Sequence, residues 1–262
     1  MIKQGFVGFF DILGYQTLID NNDISKASQI IEEVIVNLPK RTSELLLSLV
    51  KDSKNQDAAK DIYNKIDARL ISDSIILSLE MPKNADATNS TLLYTLAFLS
   101  YSSQLMRQAF DKGLPLRGAI DYGEFFFSGN CFAGKPIINC YRIGNQMDVA
   151  GCVITNDCYE IINSAVSNTK QPENIKCLYF DCLIVNKDGS NKRCHVLNWY
   201  CPYKDWGDKH DNLRSDVIDA FHANGKDITP DVVSKVNNTE IMLHIAAEEM
   251  NKKSEATPKT AT

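Results

Sequence analysis

The stretch from Gly5 to Tyr15, Gly-Phe-Val-Gly-Phe-Phe-Asp-Ile-Leu-Gly-Tyr, constrains this chain more than any other. Phe6, Val7, Phe9, Phe10 and Ile12 suit a strand buried on both faces. Asp11 is the one charge in that run, and Gly14 breaks it. A carboxylate at the end of a buried strand is costly unless something neutralises it, and a metal ion is the usual partner. The same acid could instead cap a helix that starts after Gly14.

Composition bounds what such a strand can belong to. The 262 residues are 44% hydrophobic and 23% charged, enough for one large domain or a domain with an extension. A net charge of −5 offers no broad surface to nucleic acid or to an anionic membrane. Any bound polyanion must be held by a few local Lys or Arg side chains, or by metal. The eight cysteines include no Cys-x-x-Cys pair, which argues against zinc. There is no secretory apolar segment at the start and no run of 18 apolar residues. The expectation is a cytoplasmic protein with reduced thiols.

Taken in order, strand 5–12 leads to a helical stretch over 24–50, carried by Ile24, Ala27, Ile30, Ile31, Val34, Ile35 and Leu38, with Pro39 able to kink or split it. Residues 51–64 read as helix continuation or an inserted loop. Residues 66–80 form two apolar runs around Ser72-Asp73-Ser74, a hairpin pattern. A helix is expected over 88–111, closed by Gly113. Strand, turn and strand follow over 115–127, broken at Tyr122-Gly123. Gly129–Gly134 is a loop, and Pro136 fits the first turn of a helix over 135–148. A strand at 151–155 and a helix at 156–166 precede strands 177–186 and 193–199, joined by the turn Lys187-Asp188-Gly189-Ser190. Helical stretches near 211–223 and 230–251 come last. This order gives an α+β fold, an antiparallel or mixed sheet with helices on one face. Its divisions would be a domain over 1–202, a helical extension over 203–252 and a disordered tail over 253–262.

Asp73 is the second informative acid. If its strands neighbour the first, Asp11 and Asp73 share one sheet edge. Two close carboxylates repel and attract a divalent cation. Hard oxygen ligands with few other donors suit magnesium, completed by substrate phosphates, as in two-metal phosphoryl chemistry. Alternatively Asp73 stabilises its own turn. Other patterns lead nowhere. Gly129 to Lys135 has phosphate-loop spacing, but Pro136 stands where a hydroxyl is needed. His195, His210, His222 and His244 lack ligand spacing. No serine sits in a Gly-x-Ser-x-Gly turn. Trp199 and Trp206 read as core or interface residues.

Four segments, in order over residues 5–200, resemble the class III nucleotidyl cyclases. Residues 9–15, Phe-Phe-Asp-Ile-Leu-Gly-Tyr, resemble that family's first metal motif. Ile71-Ser72-Asp73-Ser74 resembles its Ile-Gly-Asp motif, with Ser72 in place of glycine. Leu116-Arg117-Gly118-Ala119-Ile120-Asp121-Tyr122-Gly123 is similar to the Leu-Arg-x-Gly-x-x-x-Gly strand, its glycine one place early. Gly134 to Arg142 lies where the family has Gly-Asn-x-Val-Asn-x-x-x-Arg. Asp-Ile-Leu-Gly, Ser-Asp-Ser-Ile and Leu-Arg-Gly-Ala-Ile together are most like the bacterial pyrimidine cyclases of the Pycsar antiphage system.

The resemblance implies the cyclase fold and a set of roles. Asp11 and Asp73, with the Ile12 carbonyl, would hold two Mg2+ or Mn2+ ions per site. Arg142 would stabilise the transition state, and Asn139, one place from the family asparagine, lies three residues before it on a shared helix face. Arg117 aligns with a triphosphate-binding arginine; as a strand residue it could instead pair with Asp121 or Glu124. Arg69 and Cys131 align with the base-reading positions. Arginine offers only donors, which suits the acceptor edge of uracil, so UTP is favoured over CTP. Arg69 could also be a plain exposed strand residue. Lys187 and Lys192 are both candidates for a phosphate-gripping lysine. The family's sites form between the subunits of a homodimer, acids from one and Arg142 from the other. The implied reaction is cyclisation of UTP or CTP to the 3′,5′-cyclic monophosphate, read by a separate effector with a cyclic-nucleotide-binding domain. An adenylate cyclase and a catalytically silent nucleotide-binding dimer are the alternatives.

Overall fold

The apolar run of the N-terminus forms Ile2–Ile12 (β1), a strand paired along both its edges. The computed structural model describes residues 1–51, 56–82, 89–129, 131–167, 169, 172–200 and 212–256. Among them one eight-stranded sheet is built. From one edge it contains Asp67–Ile71 (β2), Ser74–Glu80 (β3), β1, Leu116–Ser128 (β4), Cys152–Ile154 (β6), Asn191–Leu197 (β8) and Tyr179–Val185 (β7). Cys131–Ala133 (β5) folds back on the end of β4. The β4–β6 pair is parallel and the others are antiparallel. The chain therefore adopts the expected α+β class.

Helices pack on both faces, not on one. Phe6 stacks on Phe98 of Asn89–Asp111 (α5), with ring centroids 5.3 Å apart. Phe9 meets Tyr141 of Lys135–Gln146 (α6) edge-on at 5.5 Å. Side chains alternate along a strand, so residues 6 and 9 point to opposite faces and so do the two helices. Both faces of β1 are apolar for that reason.

Local signals are met where the expectation was local. Ser72 and Asp73 make the β2–β3 turn, with Ser72 at φ 55, the left-handed region that favours glycine. Gly113, at φ 72, follows α5, and Pro136 sits in the first turn of α6. The Lys187–Ser190 turn joins β7 and β8. The helical stretch over 24–50 is divided into Ile24–Ile30 (α2), a wide π-type turn at Ile31–Val36 and Leu38–Leu49 (α3). The Asn37 N–H reaches back to the Glu32 carbonyl, and the Arg41 guanidinium takes the carbonyls of Glu33 and Val34. Tyr15–Asp20 (α1) precedes it, and Gln56–Lys65 (α4) occupies most of the following charged stretch.

The expected break at Tyr122-Gly123 is absent, because β4 runs unbroken through it. Gly123 is there for contact, not for a turn: a Cβ would lie 2.9 Å from Pro136 Cγ. Asn156–Ser167 (α7) and Glu173–Lys176 (α8) lie between β6 and β7. Leu213–His222 (α9) and Pro230–Ala256 (α10) close the chain, and α10 runs five residues past its expected end. The proposed boundary at 202–203, Trp206, His210 and the tail beyond Ala256 lie outside the described residues. Among the described residues, no helix is long and apolar enough to cross a membrane.

Candidate active site

Strand register places the candidate residues on one face of the sheet. Val7 pairs with Asp121 and Asp11 with Arg117, and paired residues point the same way. Asp11, Arg117 and Asp121 therefore share the α6 face with Val7 and Phe9. The Ile12 N–H donates to the Asp73 carbonyl at 2.9 Å, tying the end of β1 to the β2–β3 turn. That backbone bond brings the two acids together, as expected.

Arg117 completes this cluster. Its Nε and Nη2 donate to one Asp11 carboxylate oxygen at 3.0 and 2.8 Å, and its Nη1 donates to the Met147 carbonyl at 3.2 Å. It does not pair with Asp121 or Glu124. Burial raises the Asp11 carboxyl above its ordinary value, Arg117 opposes that, and the adjacent Asp73 carboxylate adds to it. Lys187 is close enough to feel Asp11 and Arg117; burial and Arg117 lower its amine below the ordinary value. Two carboxylates near a backbone carbonyl form a hard-oxygen set that fits Mg2+ or Mn2+ in which other oxygens complete the shell. Among the described residues no group of three or more His, Cys, Asp or Glu side chains is assembled.

A second region lies along the same face, beyond β4. An open cleft of about 340 Å³ is lined by Asn139 and Arg142 of α6, Thr155, and Lys192 and Arg193 of β8, among others. Asn139 is fixed by Asp121, which accepts from its Nδ2 at 3.0 Å and also from the Tyr122 N–H and the Thr155 hydroxyl. The structure thus puts Lys192 beside Arg142 and Lys187 beside Asp11, a division their sequence spacing did not reveal. Asp121 is four residues along β4 from Arg117, about 13 Å at the strand repeat.

Arg69 is not a plain exposed strand residue. Its Nε and Nη2 donate to Asp67 at 3.0 and 2.9 Å, its Nη1 donates to the Gly129 carbonyl, and its guanidinium stacks 4.5 Å from the Phe127 ring centroid. Gly129 lies in the turn before Cys131, so Arg69 and the β4–β5 hairpin meet; Cys131 itself is exposed. Sequence reasoning passed over Asp67 as a positioning acid. Its signal was the i, i+2 spacing that puts both side chains on one strand face. Asp121, read from sequence only as a partner for Arg117, is itself a lone acid in an apolar run.

No protein-family model matches this chain, and no curated protein matches it. Solved structures do. The adenylyl cyclase CyaB from P. aeruginosa is similar with a TM-score of 0.46 at 13% identity, over 75% of this chain and 94% of that one. The guanylate cyclase domain of RhGC from Catenaria anguillulae, in complex with GTP, has a TM-score of 0.46 at 10% identity, over 75% and 97%. A bacterial light-regulated adenylyl cyclase has a TM-score of 0.44 at 10% identity, over 84% and 99%.

Proposed function

We propose that this chain is a class III-type nucleotidyl cyclase that acts on a pyrimidine nucleoside triphosphate, UTP in preference to CTP. The observation that carries the reading is the meeting of Asp11 and Asp73, joined through the Ile12–Asp73 backbone bond at one sheet edge. Asp11, Asp73 and the Ile12 carbonyl would hold the divalent ions. Bound there, such ions lower the pKa of the ribose 3′-hydroxyl and neutralise phosphate charge.

In the reaction the 3′-hydroxyl gives its proton to solvent water, and the 3′-oxygen forms a bond to the α-phosphorus while the bond to the pyrophosphate oxygen breaks in line with it. Arg142 donates charge-assisted hydrogen bonds to the α-phosphate as charge builds. Asn139, oriented by Asp121, helps to fix the ribose and phosphate. Lys192 grips the leaving pyrophosphate, the role its place in the cleft supports over Lys187. Arg117, buried and bonded to Asp11 and to the Met147 carbonyl, keeps Asp11 in position. Arg69, steadied by Asp67 and Phe127, presents its remaining N–H donors to the base, and Cys131 lies on the adjoining hairpin.

The site forms between two subunits in this reading. β1 and β8 are three strand positions apart, about 14 Å at the usual spacing. The acids of one chain would face the Arg142 cleft of its partner. Exposed Ile138 and Tyr141 of α6, with Ile71 and Phe132, supply apolar surface on this face for a homodimer. The product would act as a signal in bacterial antiphage defence, read by a separate effector in the cytoplasm. The Asp11–Arg117 pair favours a second reading, a cyclase-like dimer that binds nucleotide without turnover, because Arg117 already neutralises one acid.

The deciding experiment is incubation of the protein with Mn2+ and each of the four nucleoside triphosphates, followed by mass analysis. A cyclic monophosphate from UTP alone, or from UTP above CTP, is expected, and Arg69→Ala should blur that preference more than it slows the UTP reaction. Cyclic AMP from ATP alone would replace the pyrimidine assignment with an adenylate cyclase. Nucleotide binding without any product would favour the silent dimer.

A further inference from the structure

Asp11 and Arg117 lie where β1 leaves the sheet and β4 enters it. Their positions depend on the loops at that end, 12–15 and 112–115, and on the 147–151 loop beside Arg117. The C-terminal segment holds all three. The turn between α9 and α10 is one contact. The Lys226 chain lies against Gly14, where a Cβ would be 2.8 Å from Lys226 Cδ. Its Nζ donates to the Gly113 carbonyl at 2.6 Å and the Ala220 carbonyl at 3.1 Å. Asn224 donates to the Lys112 carbonyl, and Asn21 and Asn22 of the α1 end donate to the carbonyls of Gly225 and Asn224. The Leu13 N–H in turn donates to the Pro115 carbonyl, so the two loops are locked to each other as well.

Helix α10 makes the other contact. Lys235 pairs with Asp148 at 3.1 Å, Ser234 and Asn238 donate to the same residue, and the fully buried Thr239 hydroxyl accepts from the Ala150 N–H at 2.9 Å. The loop gripped in this way supplies the Met147 carbonyl to Arg117 and the Gly151 carbonyl to the Gly118 N–H. Two separate parts of residues 212–256 thus converge on the backbone immediately behind the acid pair.

We propose that residues 212–256 are the back support of the acid pair, with Lys226 and Thr239 as positioning residues that set how tightly Asp11 and Asp73 hold a divalent cation. The inference rests on the cyclase reading of those acids. It gives the helical extension a role in the site itself.

The test is Mn2+ binding to the full chain without nucleotide, followed by electron paramagnetic resonance. Lys226→Met and Thr239→Val should each weaken Mn2+ about tenfold, the lower end for residues that orient metal ligands. Thr239→Ser, which keeps the hydroxyl, should restore binding. Leu46→Ala, a core truncation in α3 outside both contacts, should leave Mn2+ affinity near that of the unaltered chain despite a lower Tm. Unchanged affinity in the folded Lys226→Met and Thr239→Val proteins would overturn the proposal, as would equal weakening by Leu46→Ala. If Thr239→Val does not fold, Lys226→Met decides alone. If the unaltered chain binds no Mn2+ without nucleotide, this inference fails, while the cyclase reading, in which substrate phosphates complete the metal shell, still stands or falls on the product analysis; failure of the variants alone likewise leaves the cyclase reading intact.

Discussion

The acid edge and the basic cleft share a sheet face but solve opposite electrostatic problems. At the edge, Asp11 is largely buried and is already half-compensated: Arg117 neutralises it while Asp73 repels it. In the cleft, Arg142, Lys192 and Arg193 form no ion pair among the described residues, and the buried acid there, Asp121, is occupied with Asn139, Thr155 and its own backbone neighbour. In the proposed cyclase the edge would take up a cation and the cleft an anion, each region supplying half of what phosphoryl transfer needs; their separation across the sheet is why one chain is expected to be insufficient.

The strongest way to break this comparison is to remove an acid. Asp73→Ala should reduce turnover at least about 10³-fold, the several kcal/mol that metal charge stabilisation would supply, while the proposed dimer should persist in size-exclusion chromatography. The sharper test mixes two dead proteins. A dimer of Asp73→Ala with Arg142→Ala contains one site with both defects and one with neither. Random reassociation makes half the dimers mixed, so about a quarter of the unaltered activity should return. No recovery after exchange would place both halves of the site in one chain.

The lysines allow a finer cut. Lys192→Ala removes a charged donor from the cleft and should lower kcat/KM about 10- to 100-fold, the usual worth of a charged hydrogen bond. Lys187→Ala leaves the cleft intact and acts beside Asp11, so its effect should appear as altered Mn2+ dependence at saturating nucleotide. A reversal of the two would exchange their assignments.

The sequence made the local half of this architecture legible and left the long-range half hidden. The β2–β3 turn, the end of α5 at Gly113, Pro136 and the β7–β8 turn each rest on a few neighbouring residues whose backbone preferences point one way. Pairing Asp11 with Asp73 needed only the guess that two apolar strands are adjacent. Gly123 misled because a glycine in a strand marks either a bend or a close neighbour, and that neighbour, Pro136, belongs to another element. Arg117 is 106 residues from Asp11, and both Asp121 and Glu124 were nearer in sequence. Lys226 gave no signal, because nothing around it in the chain marks it as buried.

Lys226 also carries the smallest effect that would separate the two regions, since only the acid edge leans on it. It is 2% exposed, and burial lowers its amine from 10.5 to about 7. A neutral amine has two N–H groups, and the two carbonyls it reaches match them. Because the folded value lies below the unfolded one, the unfolded chain binds more protons between about pH 7 and 10.5. Folding stability should therefore be lowest below pH 7 and rise through that window by about 1.4 kcal/mol per pH unit from this residue. Other groups titrate there too, so the quantity to measure is the difference between the unaltered chain and Lys226→Met in urea unfolding at pH 7.5, 8.5 and 9.5. The difference should grow by that slope in favour of the unaltered chain as pH rises. A flat difference would mean that the amine is as accessible to protons folded as unfolded, and the turn at 224–227 would then be too loose to brace Gly14 and the acid behind it.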